Sequence, residues 1–103
     1  MGYIGTTQPL GANGTYTSPT LLTDRADNIS GVVFADQTGT IYIEQSADGQ
    51  NWDLSTSYPV TANDGNGFSE SLLAPFVRVR YVNDATGQGA FRLAARFTSA
   101  GDS

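Results

Sequence analysis

An all-β fold is what this sequence predicts, and three observations carry the prediction. No window of about eleven residues repeats apolar positions at helical spacing. Runs rich in Val, Ile, Tyr, Phe and Thr are punctuated by twelve glycines, four prolines and many Ser, Asn and Asp. Apolar and polar residues alternate at period two over 40–46, 76–82 and 90–98, so each of these segments presents one face to a core and one to solvent. β-branched and aromatic side chains fit a pleated, half-buried surface, whereas Gly, Pro, Asn and Asp supply turn conformations.

Residues 1–13 (MGYIGTTQPLGAN) mix three glycines and Pro9 with isolated Tyr3, Ile4 and Leu10 and no sustained period, and predict an extended N-terminal arm. Two short runs follow, Thr15 to Ser18 and Thr20 to Thr23. Pro19 parts them, and because proline cannot donate to a ladder it marks an edge or a bend. Ile29 to Asp36 is a largely apolar run suited to a strand covered on both faces; Gln37, Thr38 and Gly39 connect it, as a hairpin, to Thr40 through Ser46. There Ile41 and Ile43 face one way, Tyr42 and Glu44 the other.

Ala47-Asp48-Gly49-Gln50 leads into a strand from Asn51 to Val60, Asp-Gly supplying the positive φ of a tight turn. Asn63 to Gly67 reads as the next turn, before a weaker strand from Phe68 to Leu73. After Pro75, Phe76 to Val82 sends Val77, Val79 and Tyr81 inward and Arg78, Arg80 and Val82 outward. Ala90 to Thr98 sends Phe91, Leu93, Ala95 and Phe97 inward and Arg92 and Arg96 outward, and these last two strands are expected to pair. About eight strands with turns every eight to twelve residues indicate a sandwich or barrel. The expected architecture is a jelly-roll-like antiparallel β-sandwich, with an immunoglobulin-like sandwich or small barrel as alternatives. It comprises one domain over 14–99, the arm over 1–13 and a flexible tail over 100–103.

Composition narrows the function. With neither cysteine nor histidine, the chain has no disulfide, no thiolate or imidazole metal ligand and no histidine general base. The two glutamates, Glu44 and Glu70, form no acid–base pair with another carboxylate, and Gly67-Phe68-Ser69-Glu70-Ser71 departs from the nucleophile-elbow pattern at its last position. No catalytic residue and no cofactor is assigned, and an enzyme is not expected. Asp24 to Asn28 and Asn63 to Asn66 contain oxygen ligands but lack calcium-loop spacing, so turn formation explains them and no metal is assigned. A net charge of -5 without any lysine opposes contact with nucleic acid or anionic lipid. No apolar stretch approaches the roughly 20 residues of a membrane helix, and no basic segment with an apolar run opens the chain. Synthesis inside a cell is expected, which makes the sequons at Asn13 and Asn28 chance matches.

Two groups of residues stand out. In Ser46-Ala47-Asp48-Gly49-Gln50-Asn51-Trp52, Asp48 is placed to bond the backbone of its own turn, Gly49 takes a conformation others avoid, and Trp52 folds back onto the sheet. Arg78, Arg80, Arg92 and Arg96 are expected to form one positive stripe that requires carboxylates, from Glu44, Glu70 or Asp53 or from a partner.

The Ser-x-Asp-Gly-x-x-Trp arrangement resembles a turn-stabilising hairpin of discoidin-type jelly rolls and, with one residue missing between Asp and Gly, the Asp-box. Together with Ala35-Asp36-Gln37-Thr38-Gly39-Thr40-Ile41-Tyr42-Ile43-Glu44-Gln45-Ser46 and Phe76-Val77-Arg78-Val79-Arg80-Tyr81-Val82-Asn83, it resembles small β-sandwich proteins of tailed bacteriophage virions. The likeness spans roughly residues 30–98. It implies a capsid decoration (cement) protein, or a fibre or neck module, that joins the major capsid protein or other virion subunits as a homo-oligomer, with a trimer favoured. Virion localisation after synthesis in the host cytoplasm follows from it. Tyr3, Ile4, Leu10 and the four arginines are then candidate interface residues. The alternative is a carbohydrate-binding module using Trp52, Tyr42 or Tyr58 as stacking platforms for a glycan.

Overall fold

The computed structural model describes residues 3–23 and 26–98, Tyr3 through its backbone alone. Asp24, Arg25 and the 100–103 tail lie outside the described residues. The strands are β1 (Tyr3–Thr6), β2 (Thr15–Thr17), β3 (Leu21–Leu22), β4 (Asn28–Ala35), β5 (Gly39–Ser46), β6 (Leu54–Val60), β7 (Asp64–Ser71), β8 (Phe76–Asn83) and β9 (Phe91–Thr98). They form two antiparallel sheets. Sheet A runs β1-β9-β4-β7; sheet B runs β2-β8-β5-β6, with β3 also on β8. Taking β2 and β3 as one strand broken at Pro19, eight strands form two four-stranded layers in a jelly-roll-like order.

The inward residues follow the alternation read from sequence. Ile29, Val33 and Ala35 of β4 and Phe91, Leu93, Ala95 and Phe97 of β9 meet Ile41 and Ile43 of β5 and Val77, Val79 and Tyr81 of β8. The Tyr81 and Phe91 rings pack across the layers with centroids 4.8 Å apart. Gly39 is held to glycine by this packing, because a Cβ there would lie 2.4 Å from the Tyr81 hydroxyl oxygen.

Several local expectations are corrected. Ile29–Asp36 and Thr40–Ser46 do not form a hairpin: β4 lies in sheet A and β5 in sheet B. The three residues between them span up to about 10 Å, which equals the separation of stacked sheets, so a short polar connection serves a crossing as well as a hairpin. β8 and β9 likewise lie in opposite sheets, and the four arginines therefore do not form one stripe. β5 and β6 do form a hairpin, with Glu44 opposite Ser55 and Ile41 opposite Tyr58. β7 begins at Asp64, inside the run read as a turn, because Asn63 alone takes the left-handed conformation (φ 61°) that redirects the chain. A glycine-rich segment and Pro59 are both tolerated because β7 and β6 are edge strands. Nor is β4 covered on both faces, since Val32 is 52% exposed.

The arm also needs correction over residues 3–6. β1 is extended, but it completes this chain's own sheet beside β9, and Ile4 enters the core at 3% exposure. Leu10 packs against the same core, and its N–H donates to Gln88 Oε1 at 2.9 Å. The Ile4 side chain is therefore taken up in the chain's own core, while Leu10 stays partly exposed.

Buried polar side chains stitch the ends of the sandwich. Gln45, 1% exposed, donates through Nε2 to Ser71 O at 2.9 Å and accepts at Oε1 from Leu73 N (2.7 Å) and Ala74 N (3.1 Å), holding the β7–β8 connection. Asn83 donates to Gly11 O and Thr86 O, each at 2.9 Å, and joins the β1–β2 and β8–β9 connections. Ser18 accepts from Val79 N at 2.9 Å beside the break that Pro19 makes. Gln45→Leu should keep the volume but strand three backbone groups; urea unfolding should register a loss of about 2–4 kcal/mol, and a loss below about 0.5 kcal/mol, the scale of neutral surface changes, would contradict this account of the connection.

Candidate functional site

The outer face of sheet B is built from alternate residues of β5 and β8. Glu44 faces Arg78 across the ladder and Tyr42 faces Arg80. Arg78 Nε donates to Glu44 Oε1 at 2.8 Å, and Arg80 Nη2 donates to Oε2 at 3.2 Å. The guanidinium of Arg78 lies 4.3 Å from the centroid of the Trp52 ring and that of Arg80 lies 4.2 Å from Tyr42. The result is a row of Trp52, Arg78, Glu44, Arg80 and Tyr42 in which each charge has a partner. Burial pushes the Glu44 carboxyl up, but the hydrogen bonds and positive charges of Arg78 and Arg80 outweigh it, so the net shift is downward.

The turn that delivers Trp52 is locked from within. Ser46 Oγ donates to Asp48 Oδ1 at 2.9 Å and accepts from Gly49 N at 2.8 Å. Asp48 Oδ1 also accepts from Asn51 N (2.8 Å) and Gln50 N (2.9 Å), and its Oδ2 accepts from Asn51 Nδ2 at 2.6 Å. The backbone N–H of Asn51, then that of Gln50, then the Asn51 and Ser46 side chains hold the Asp48 carboxyl well below the usual carboxylate range. Gly49 adopts φ 81°, which favours glycine. These bonds join Ser46, Asp48, Gly49, Gln50 and Asn51 within the turn, and Trp52 follows it with its ring against Arg78.

The aromatics considered as sugar platforms do not form a strip. Trp52 and Tyr42 each have an arginine on one ring face. Tyr58 points inward from β6, its hydroxyl donating to Glu70 Oε1 at 2.6 Å and to Ser69 O at 2.8 Å. Burial, then the bond to Glu70 and its charge, push the Tyr58 hydroxyl up to about 12.

Sheet A presents a different outer face. Arg92 and Arg96 project from β9, both exposed, and among the described residues neither pairs with a carboxylate. Arg92 lies 4.4 Å from the Phe34 ring centroid. Between the two arginines runs a trough formed by two open cavities of about 630 and 670 Å³ that share Val32 and Ala94. Its floor is small: Gly5 lies opposite Ala94, and Gly65 and Gly67 lie opposite Phe34 and Val32. Sequence reasoning found both arginines but missed Val32, Phe34 and the glycines. The signal was present in β4, whose outward positions carry Val32 and Phe34 where a solvated face would be polar.

A family model described as "Uncharacterised protein YqxG N-terminal domain" matches residues 1–98. Among solved structures, that titled "Crystal structure of PBSX exported protein XepA" aligns with a TM-score of 0.88 at 22% identity, over 97% of this chain and 38% of that one. The chain thus spans well under half the length of XepA. A chain from "Bacillus endospore appendages form a novel family of disulfide-linked pili" aligns with a TM-score of 0.58 at 17% identity, over 96% of this chain and 87% of that one. A third, titled "CBM4 structure and function", has a TM-score of 0.44 at 17% identity, over 91% and 66% of the two chains. The first two likenesses show a shared fold. No curated protein sequence matches.

Glu44 gives the sheet-B row a pH signature. Its pKa is lowered on folding, so its stabilisation is complete above the unfolded value of about 4.3 and is lost as pH falls through the lower folded value. Glu44→Gln should cost about 1–3 kcal/mol at pH 7, below the figure for a fully buried pair because both arginines are partly solvated. The gap to the parent protein, measured by urea unfolding, should close on acidification below about pH 4. A gap independent of pH would show that the carboxylate charge is not what holds the row.

Proposed function

The chain belongs to the YqxG N-terminal domain family, and we propose that it is a non-enzymatic structural module of a phage-associated assembly, attached to its partner through the outer face of sheet A. The observation that carries this reading is the contrast between the two outer faces. Sheet B pairs both of its arginines internally with the one carboxylate of Glu44. Sheet A leaves Arg92 and Arg96 exposed beside a bare Val32, on a strand whose sequence is apolar enough for cover on both faces. A partner supplies that cover and the missing carboxylates, and arginine suits such contacts because its planar fork pairs with carboxylates bidentately.

In its finer form the reading is a capsid decoration protein that binds the assembled head, with further copies of itself and the major capsid protein as neighbours. Its support is the resemblance of residues 35–46 and 76–83 to virion β-sandwiches, with the fold likeness to an exported protein and to a pilus subunit. A rigid sandwich with locked turns adds mechanical strength to a lattice without rearranging. The test is co-sedimentation of the purified chain with particles encoded by the same genome. Arg92→Glu combined with Arg96→Glu should weaken binding by at least about tenfold, equivalent to ~1.4 kcal/mol, and binding should fall with added salt. Ser57→Glu, on the outer face of sheet B, should leave it unchanged. Equal loss in both variants, or no binding by the parent chain, removes the proposal.

A further inference from the structure

We propose that the trough on sheet A receives an extended acidic segment of a partner protein, lying over the adjoining strands β9 and β4 with carboxylates four residues apart. This deepens the reading above and rests on its placement of the contact on sheet A. Arg92 and Arg96 stand on the same face of one strand, separated by about 13 Å at ~3.3 Å per residue. An extended peptide alternates its side chains at the same period, so residues i and i+4 reach the two guanidinium groups while residue i+2 rests over Val32 and Ala94, where the two cavities meet.

The floor supports an occupant. A Cβ at Gly65 would meet nothing within 4 Å, and one at Gly67 only Gly31 O at 3.9 Å. Neither has the positive φ that would demand glycine. Glycine weakens a strand relative to residues that pack on the sheet, and here internal packing does not call for it. What its absence of side chain provides is an open trough beside β4.

Charge indicates the kind of occupant. Within a chain of net charge -5, two exposed arginines without described carboxylate partners favour an anionic ligand. A second copy of this chain fits poorly. Glu44 and Asp48 are its one acidic pair at a separation of four, and both are engaged, Glu44 by Arg78 and Arg80 and Asp48 by its own turn. The matching segment therefore belongs to another protein.

The probe is a synthetic seven-residue peptide of threonines with glutamate at its second and sixth positions and valine at its fourth. It is titrated into the isotopically labelled full chain and followed by NMR. Shifts should concentrate at Val32, Gly67, Ala94 and the side chains of Arg92 and Arg96, and should vanish when glutamine replaces both glutamates. Gly65→Val combined with Gly67→Val fills the trough without touching the arginines, and should weaken binding at least about tenfold while thermal unfolding stays at or above that of the parent. Arg92→Gln with Arg96→Gln should do the same. No shifts at the peptide's solubility limit, or shifts that survive the valine variants, overturn the proposal. Stronger binding of a uronic-acid oligosaccharide, or concentration-dependent shifts of the chain alone, overturns it in favour of a glycan or a second copy. The two proposals fail separately: particle binding that needs Arg92 and Arg96 but tolerates the valine variants leaves the docking face standing and removes the peptide.

Discussion

The sandwich depends on satisfying backbone polar groups at its ends. Most consecutive strands lie in opposite sheets, so the chain repeatedly leaves a ladder, turns over the edge of the core and enters the other layer. At each crossing, carbonyls and amides sit close to apolar packing without a neighbouring strand to pair with, and an unpaired buried group is costly. Gln45 and Asn83 supply missing partners from inside at the β1–β2, β7–β8 and β8–β9 crossings, and Ser18 does so for Val79 N at the break between β2 and β3. Gln45 and Asn83 thereby hold three of the crossings, and the crossings fix which strand faces which.

That topology places the charges. Because β8 and β9 part company, Arg78 and Arg80 meet the carboxylate of β5, while Arg92 and Arg96 stand opposite Phe34 and Ser30 of β4, neither of which is a carboxylate. The same residue type acquires two roles from its neighbours. On sheet B an arginine is a packing element, its guanidinium held between an aromatic ring and Glu44. On sheet A only Phe34 supports one of them, and the face remains open to what the chain itself does not provide.

Period-two alternation made the strands and their inward residues legible, because it reports a local geometric fact that survives any topology. The turn from Ser46 to Trp52 was equally legible, since its bonds join residues within a few positions of one another. Pairing between strands was not. Residues 36–38 carry a turn signal whether the chain folds back or crosses, so the sequence does not separate a β4–β5 hairpin, or a β8–β9 hairpin, from the crossings observed. Ile4 was misread for a related reason: an isolated apolar residue among glycines has no periodic company, and its burial comes from β9, far along the chain. The trough was hidden because Gly65 and Gly67 read as punctuation, when they belong to an edge strand whose missing side chains shape a surface.

One feature of the topology bears on how the molecule reaches this state. Among consecutive strands, β5 and β6 alone become ladder neighbours, and the self-bonded loop between them closes over a handful of residues. Every other ladder joins segments brought together from a distance, so the entropy of closing large loops is spent before their contacts reward it. Assembly is thus a slow, high-contact-order process, with this one hairpin as its local foothold and unpaired strand edges open to wrong partners until the layers close.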